Sequence, residues 1–313
     1  MLKNKILIAD VLHPNLRLSL LEKRINCDVV EDISSKDLLE NINQYTGLVI
    51  RSRHSIDHNF IDKGKNLIFI ARAGSGTENI DVSYAHSKGI KIISSPEANA
   101  RSVAEHTLGM ILSLINKFNK SSSEINKGVW DRNTNWGNTL KDKTVGIIGF
   151  GHTGSALAKL LMGFDVNILV YDKYKHGFET PYIKEVSLEV IRKHADIVSI
   201  HIPLNKDNQY YINQAFVTSF SKPIMLINTS RGKILKIKDL LYGLKNNFIK
   251  SAGLDVLEYE NKDFESIFTE QKDLQQLLKM TNVLITPHVA GWTEESYQLH
   301  SEVLAKKIIK ALS

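Results

Sequence analysis

Short apolar runs alternate with longer amphipathic segments along the whole chain. In the first third of the sequence, the runs that we interpret as strands cover residues 5–9, 28–31, 47–50, 67–71 and 90–93. Segments with helical periodicity lie between them, among them residues 15–25 and 81–87. Such alternation is typical of a parallel sheet covered by helices on both faces. Residues 1–98 are therefore predicted to form a small α/β domain.

The alternation resumes in the second half, after a segment of different character. Ser102 and Glu105 fit a capping box that opens a helix, and residues 119–142 are polar and predicted to be irregular. Thr293 is expected to cap a C-terminal helix. Strands are predicted at residues 167–171, 196–201, 224–228, 251–255 and 283–286, and helices at residues 187–193, 213–220 and 236–246. The whole pattern predicts an α/β protein with two doubly wound parallel-sheet domains.

Residues 144–172 carry the clearest chemical signal, because they read as one strand, turn, helix and strand. An apolar run leads directly into Gly149, Gly151 and Gly154, which fit the pattern G-x-G-x-x-G. The first glycine permits a tight turn, the second lets the backbone approach a pyrophosphate, and the third lets the helix pack on the strand. The helix that follows is expected to stop near Gly163. This context predicts a dinucleotide site.

An acidic residue at the end of the next strand supports that interpretation. Asp172 lies 18 residues beyond Gly154, near the spacing of about 20 expected in this motif. Its carboxylate can accept hydrogen bonds from both ribose hydroxyls and would repel a 2′-phosphate, which favours NAD over NADP. Lys173 and Lys175 weaken that preference slightly.

Composition narrows the class of protein. The 313 residues suffice for two domains, and 42% hydrophobic with 24% charged residues describes an ordinary globular protein. The net charge of +6 comes from dispersed basic residues, so we expect no nucleic-acid partner. The single cysteine, Cys27, fits a reducing cytoplasm, and no apolar run is long enough for a membrane span or a signal peptide. Spacings typical of metal ligands are absent from the sequence.

Two loops after strands of the first domain are candidate substrate-binding segments, because ligands of α/β proteins bind beyond the carboxyl ends of the strands. The first contains Arg51, Ser52 and Arg53, whose guanidinium groups match carboxylates or phosphates. The second is the segment Gly74, Ser75 and Gly76, whose backbone N–H groups could form an anion nest.

Three residues of the second half lie at or shortly beyond the ends of predicted strands. Arg231 follows the strand at residues 224–228, Glu260 lies five residues past Asp255, and His288 precedes the last helix. Each alone has an ordinary structural explanation. Together, at the sheet edge that binds the cofactor, they form a candidate catalytic set.

These motifs resemble those of the D-isomer-specific 2-hydroxyacid dehydrogenases over almost the whole length of the chain. The matching stretches are ARAGSGTENID, SVAEHTLGM, VGIIGFGHTG, NTSRGK, AGLDVLEYE and TPHVAGWTEES. Within this family the sequence looks most like the short bacterial D-3-phosphoglycerate dehydrogenases that lack a C-terminal regulatory domain.

The resemblance implies a domain plan and roles for individual residues. A flavodoxin-like substrate domain would comprise residues 1–98 and a C-terminal helix at 289–313, a Rossmann NAD domain would comprise residues 99–288, and the segment around residues 100–140 would form a homodimer. Arg231 would bind substrate, Glu260 would pair with the acid/base His288, and Asp255 would lie near the nicotinamide amide. The expected cofactor-binding residues are Gly149, Gly151, His152, Thr153, Gly154, Asp172, Thr229 and Asp255. His152 departs from the family, which often has Arg or Asn there.

The expected reaction is hydride transfer between NAD and a D-2-hydroxy acid, with His288 exchanging the hydroxyl proton and the cleft closing over hinges near residues 98 and 288. The expected substrate is D-3-phosphoglycerate, oxidised in the first step of serine synthesis, because Arg51 and Arg53 would have no partner in a site for an unphosphorylated acid. Alternatively, these arginines pair with local acids such as Asp57 or Glu78. Glyoxylate or hydroxypyruvate reductase, D-lactate dehydrogenase and a nicotinamide-sensing binding protein remain alternatives.

Overall fold

The computed structural model describes residues 5–260 and 270–312. Within them the chain divides into two compact units, unit 1 with residues 5–99 and 292–312, and unit 2 with residues 100–260 and 270–291. The described strands are β1 Lys5–Ile8, β2 Asn26–Val29, β3 Gly47–Ile50, β4 Phe69–Arg72, β5 Lys91–Ser94, β6 Thr144–Ile148, β7 Asn167–Tyr171, β8 Ile183–Glu185, β9 Ile197–Ile200, β10 Ile224–Asn228, β11 Ile249–Leu254 and β12 Val283–Ile285. The α-helices are α1 Asn15–Glu22, α2 Ser35–Asn41, α3 His58–Lys63, α4 Val82–Ser87, α5 Ala100–Ile115, α6 Phe118–Asn126, α7 His152–Leu161, α8 Leu188–His194, α9 Gln214–Val217, α10 Ile237–Lys245, α11 Lys272–Leu277 and α12 Glu294–Leu312.

Unit 1 is built on a five-stranded parallel sheet with the order β2-β1-β3-β4-β5, which is the flavodoxin-like order. Successive side chains of a strand point to opposite faces, so each face has its own apolar core. Leu7, Leu48 and Ile70 lie in one core, and Ile6 and Val49 in the other. The C-terminal helix α12 covers the second face with buried residues that include Leu304, Ala305 and Ile308.

Unit 2 contains a seven-stranded parallel sheet with the order β12-β11-β10-β9-β6-β7-β8. Counted from β6, its first six strands follow the Rossmann order, and β12 extends the sheet. The strands β9 and β10 are buried along their whole length, as expected for a parallel sheet covered on both faces. The predicted fold class of two parallel-sheet α/β domains is confirmed.

Two local predictions were wrong. Helix α5 begins at Ala100, directly after Asn99, a residue type that commonly precedes helices, so Ser102 is a buried residue of its first turn and not a cap. Residues 119–126, predicted to be irregular, belong to α6, because Lys117 adopts a left-handed conformation that ends one helix and redirects the chain into the next. By contrast, the expected end of α7 near Gly163 is confirmed, since the helix ends at Leu161 in a 3-10 turn over Met162–Phe164.

Other boundaries agree closely with the sequence pattern. β3, β7 and β10 have the predicted bounds, and the remaining predicted strands differ by at most two residues at either end. Thr293 does cap α12, since the backbone N–H of Ser296 donates to its hydroxyl at 3.1 Å. None of the helices in the described ranges is both long and apolar enough to cross a membrane.

A buried histidine of unit 2 makes the stability of the fold sensitive to acid. His201 follows β9 and its ring nitrogens contact the hydroxyls of Ser199 at 2.8 Å and Thr153 at 3.1 Å. Burial lowers the pKa of His201 from 6.5 to about 4. Between these two pKa values the His201 ring is protonated in the unfolded chain but neutral in the folded protein. The free energy of unfolding is therefore unaffected by this ring above pH 6.5 and decreases as the pH falls from 6.5 toward 4.

We predict that His201→Gln reduces the acid sensitivity of folding. Between pH 7 and pH 5, linkage assigns about 2 kcal/mol of lost stability to this one side chain. Urea unfolding at both pH values measures the difference, with His194→Gln on the exposed end of α8 as the matched control. An equal pH dependence in His201→Gln and the wild type would show that the ring protonates in the folded state.

Candidate active site

The glycine-rich turn between β6 and α7 has a backbone that side chains would disrupt. Gly149 has a φ of +99°, and a Cβ there would lie 2.5 Å from the carbonyl oxygen of His201. A Cβ on Gly154 would lie 2.1 Å from the carbonyl oxygen of Gly149. By contrast, a Cβ on Gly151 would meet nothing within 4 Å. The first and third glycines are therefore needed for packing, and the second leaves the N-terminus of α7 open to a ligand.

This turn fits the pyrophosphate of a dinucleotide. Gly151 is the N-cap of α7 and supplies no side-chain acceptor, so the positive end of the helix faces outward. Of the two flanking residues that we assigned to the cofactor, His152 is exposed, and the Thr153 hydroxyl contacts His201.

Asp172 lies at the end of the neighbouring strand β7, where the sequence predicted a ribose ligand. One carboxylate oxygen accepts from the N–H of Phe150 at 2.6 Å, and the other accepts from the N–H groups of Tyr174 at 2.8 Å and Lys175 at 2.9 Å. Burial opposes ionisation, but these backbone donors outweigh it and lower the pKa of Asp172. The group is therefore a fixed anion beside the glycine turn.

His288 and Glu260 are adjacent in unit 2. The Nδ1 atom of His288 lies 2.8 Å from Oε2 of Glu260, and the other oxygen of Glu260 accepts a short hydrogen bond from the N–H of Leu257. A carboxylate only accepts, so Nδ1 carries the hydrogen in this pair. The neutral ring then presents Nε2 as its proton acceptor, which is the arrangement required of a general base.

Asp255 holds the backbone turn that carries His288. Its buried carboxylate accepts from the hydroxyl of Thr286 at 2.6 Å and from the N–H groups of Val289 at 2.9 Å and Ala290 at 2.8 Å. Within this turn His288 has a φ of +56°, which is left-handed and unfavourable for a residue with a Cβ. Asp255 therefore fixes the segments on both sides of a strained residue.

Two residues that the sequence did not single out complete this cluster. His106 of α5 has its Nε2 atom 3.0 Å from the hydroxyl of Thr286 and 3.7 Å from Asp255. Because Thr286 gives its only hydrogen to Asp255, His106 must donate through Nε2. The Thr107 hydroxyl contacts that of Thr229 at 2.9 Å. In the sequence, these two residues could have been noticed as an adjacent polar pair, His106 and Thr107, within an amphipathic helix.

Arg231 lies directly beyond β10, in a loop that packs closely on a neighbouring segment. A Cβ on Gly232 would lie 1.9 Å from the carbonyl oxygen of Leu257, so only glycine allows this approach. The Arg231 side chain is half-buried and donates through Nη1 to the carbonyl oxygen of Ser230 at 2.7 Å. Arg231, Glu260 and His288 therefore all lie at or beyond the carboxyl ends of strands of unit 2.

In unit 1, the two arginines that follow β3 have different environments. The side chain of Arg53 pairs with Asp10 at 3.2 Å and donates to the carbonyl oxygens of Ala9 at 2.9 Å and Glu31 at 2.6 Å. The guanidinium of Arg51 lies 4.8 Å from the ring centre of Trp292. Within residues 5–260 and 270–312, Arg51 has no ion pair with a carboxylate. Arg53 is therefore tied to the segments that follow β1 and β2, whereas the charge of Arg51 has no carboxylate partner within those ranges.

The glycine loop after β4 offers fewer N–H groups than the sequence indicated. Gly74 has a φ of +152°, and its N–H donates to the Ser95 hydroxyl at 3.2 Å. The Ser75 hydroxyl donates to Asn99 at 2.8 Å. Of the three backbone N–H groups predicted to bind an anion, only those of Ser75 and Gly76 therefore remain candidates. Ser52 lies half-buried between the two arginines.

We predict that Asp255→Ala destabilises unit 2 by at least about 3 kcal/mol, because it leaves two backbone N–H groups and one hydroxyl without their acceptor in a buried turn. Asp172→Ala is the matched control, since that carboxylate also accepts three hydrogen bonds, all from backbone N–H groups, but is half-exposed. Its donors can turn to water, so about 1 kcal/mol is expected. Urea unfolding compares the variants, and equal losses would show that Asp255 does not brace the turn.

Comparison with known proteins identifies the family of this chain. Residues 108–290 match the family model of the D-isomer specific 2-hydroxyacid dehydrogenase NAD binding domain. A hydroxypyruvate reductase of Thermotoga maritima is 33% identical, with 90% of this chain and 90% of that protein aligned. A D-3-phosphoglycerate dehydrogenase of Methanocaldococcus jannaschii is 33% identical over 98% of this chain, which spans 57% of the length of that protein.

A solved structure shows the same likeness. The D-lactate dehydrogenase of Aquifex aeolicus, in complex with NAD and lactic acid, superposes with a TM-score of 0.82 at 25% identity, covering 98% of this chain and 95% of that one. The glycine turn of unit 2 lies within the region matched by the family model. The chain therefore belongs to the NAD-dependent D-isomer specific 2-hydroxyacid dehydrogenases.

Proposed function

We propose that His288, Glu260 and Arg231 carry the reaction of this dehydrogenase. The observation that supports the proposal most strongly is the 2.8 Å contact between His288 and Glu260. A protein that only sensed the nicotinamide cofactor would need the glycine turn but not an oriented histidine–carboxylate pair. The alternative of a nicotinamide-sensing protein is therefore less favoured.

In this mechanism each side chain has a separate task. Bound NAD supplies the acceptor for the hydride that leaves C2 of the hydroxy acid. His288 takes the hydroxyl proton at Nε2, while Glu260 keeps the ring oriented and stabilises the imidazolium that forms. Arg231 binds the substrate carboxylate and polarises the oxygen on C2. In the reverse direction the imidazolium of His288 returns the proton to the reduced 2-keto acid.

The cofactor preference follows from Asp172. We assign this fixed carboxylate to the adenosine ribose and therefore propose NAD over NADP, because a 2′-phosphate would meet an existing negative charge. Lys175 forms no ion pair with Asp172, because its ammonium donates to the carbonyl oxygen of Phe150 at 3.0 Å, but its positive charge acts on the Asp172 carboxylate and weakens this preference slightly.

We propose D-3-phosphoglycerate as the substrate, oxidised to 3-phosphohydroxypyruvate in serine biosynthesis. The supporting observation is Arg51, whose guanidinium is held against Trp292 and has no carboxylate partner in the described ranges. A phosphate would supply one, and guanidinium groups bind phosphates with paired hydrogen bonds. The backbone N–H groups of Ser75 and Gly76 are candidate hydrogen-bond donors to the carboxylate of the substrate.

Hydroxypyruvate reduction is the second candidate, because one observation favours it directly. Arg53 is already neutralised by Asp10, so the positive charge predicted for a phosphate is reduced from two guanidinium groups to one. The similar hydroxypyruvate reductase also matches this chain over nearly its full length.

We further propose that the protein acts as a homodimer in the cytoplasm. The segment around α6 exposes several large apolar side chains, which are unusual on a free surface and typical of an interface. They are Phe118, Ile125, Val129, Trp130 and Trp136, and both tryptophans are more than 70% exposed. Cys27 in unit 1 is unpaired, as expected in a reducing compartment.

The test compares 3-phosphohydroxypyruvate with hydroxypyruvate as NADH-dependent substrates. We predict that Arg51→Ala lowers kcat/KM for the phosphorylated substrate about ten- to a hundredfold and hardly changes it for hydroxypyruvate. Arg53→Ala is the control, because Arg53 is bound to Ala9, Asp10 and Glu31 of unit 1 and its loss should affect both substrates alike. A wild type that reduces hydroxypyruvate equally well would support the reductase, and an unselective Arg51→Ala would overturn the role of Arg51.

A further inference from the structure

A cavity of about 440 Å³ lies in unit 2 at the amino ends of the sheet strands. Lys143 directly precedes β6, and Ile197, Ser251 and Val283 lie in the first three residues of their strands. The glycine turn and His288 lie beyond the carboxyl ends of strands of the same sheet. The cavity has the volume of an ordinary small-molecule site.

The lining of this cavity is strongly basic. It includes four lysines, Lys117, Lys120, Lys143 and Lys250, and one carboxylate, Asp196. Asp196 is already paired with Lys222 at 2.6 Å, and it also accepts from the N–H of Thr144 at 2.9 Å.

The lysines differ in how far their charge is compensated. Lys120 pairs with Glu124 at 2.8 Å, and Lys117 donates to the carbonyl oxygen of Thr134 at 2.9 Å. Lys143 and Lys250 form no hydrogen bond or ion pair through their ammonium groups within the described part of the chain. Lys117, Lys143 and Lys250 therefore bring three positive charges to one cavity with no ion-pair contact of their own in the described ranges, although the charge of Lys143 also acts on the carboxylate of Asp196.

Neutral donors and acceptors surround these charges. Ser113, Asn119, Asn138, Ser251, Thr281 and Asn282 also line the cavity. Hydroxyl and amide groups of this kind orient the oxygens of an anion that lysines attract as point charges.

We propose that this cavity binds a small polyanion, a phosphate ester or a polycarboxylate, at a site separate from the cofactor and substrate residues. Charge selects the class of ligand, because a neutral molecule would leave several ammonium groups uncompensated. The proposal does not rest on the identity of the substrate.

Two elements connect the cavity with the turn that holds His288. Residues Ser113–Ile115 at the end of α5 line the cavity, and His106 on the same helix contacts Thr286. The helix has 16 residues, so it is about 24 Å long. Strand β12 begins in the cavity at Val283 and leads within a few residues to His288. Ligand binding is therefore expected to change turnover.

The binding test uses two probes, inorganic pyrophosphate and citrate, by isothermal titration calorimetry with saturating NADH so that the nucleotide site is filled. The double variant Lys143→Ala/Lys250→Ala should bind the preferred probe at least about tenfold more weakly than the wild type. The control Lys159→Ala/Lys184→Ala removes two exposed lysines of unit 2 that do not line the cavity, at the same cost in net charge. Its affinity should stay within about twofold.

The two probes distinguish a phosphate ester from a polycarboxylate by which of them binds more tightly. Equal weakening in both double variants would assign the effect to overall charge and overturn the site. Unchanged affinity in Lys143→Ala/Lys250→Ala, or no binding of either probe to the wild type, would also overturn it.

Steady-state kinetics test the connection to the catalytic turn. The preferred probe should change kcat of NADH-dependent 2-keto acid reduction in the wild type and not in Lys143→Ala/Lys250→Ala. Inhibition that is purely competitive with NADH or with the keto acid would place the probe at the active site and overturn the connection.

Discussion

The position of His288 depends on the buried carboxylate of Asp255. A left-handed backbone conformation costs a residue with a Cβ on the order of 1–2 kcal/mol. Asp255 accepts three hydrogen bonds from residues on both sides of His288, and hydrogen bonds to a charged group each contribute about 1.5–3 kcal/mol. The three hydrogen bonds contribute more free energy than the left-handed conformation costs, so His288 is stable in that conformation. Glu260 then has only to orient a ring whose backbone is already fixed.

Close backbone contacts shape the rest of this sheet edge. Gly149, Gly154 and Gly232 stand where a Cβ would lie within 2.5 Å of a carbonyl oxygen. These contacts bring the glycine turn against the end of β9, and the Arg231 loop against the segment that leads to Glu260. Backbone packing therefore fixes the loops that carry Arg231 and Glu260, two of the residues that we propose for the reaction.

The sequence predicted the parts of the fold that depend on local pattern. Apolar runs buried on both faces gave the bounds of β3, β7 and β10, and the glycine spacing gave the dinucleotide turn, because strand, turn and helix follow one another in the chain. It did not predict α6, whose start depends on the left-handed conformation of Lys117. The sequence also did not predict the ion pair between Arg53 and Asp10, because Asp10 lies far away in sequence and is brought close by the pairing of β1 with β3. The contact of His106 with Thr286 could not be predicted for the same reason, since the two residues are 180 positions apart in the sequence.

In the proposed mechanism, His288 exchanges the proton of the reaction, and the cofactor binds without needing the His288 side chain. The direct measurement is the kcat of His288→Ala with a 2-keto acid and NADH, together with the affinity of that variant for NADH by fluorescence. We expect kcat to fall by at least about a hundredfold, the usual contribution of general acid–base catalysis, with NADH affinity unchanged. Near-normal turnover by His288→Ala would contradict the proposed mechanism.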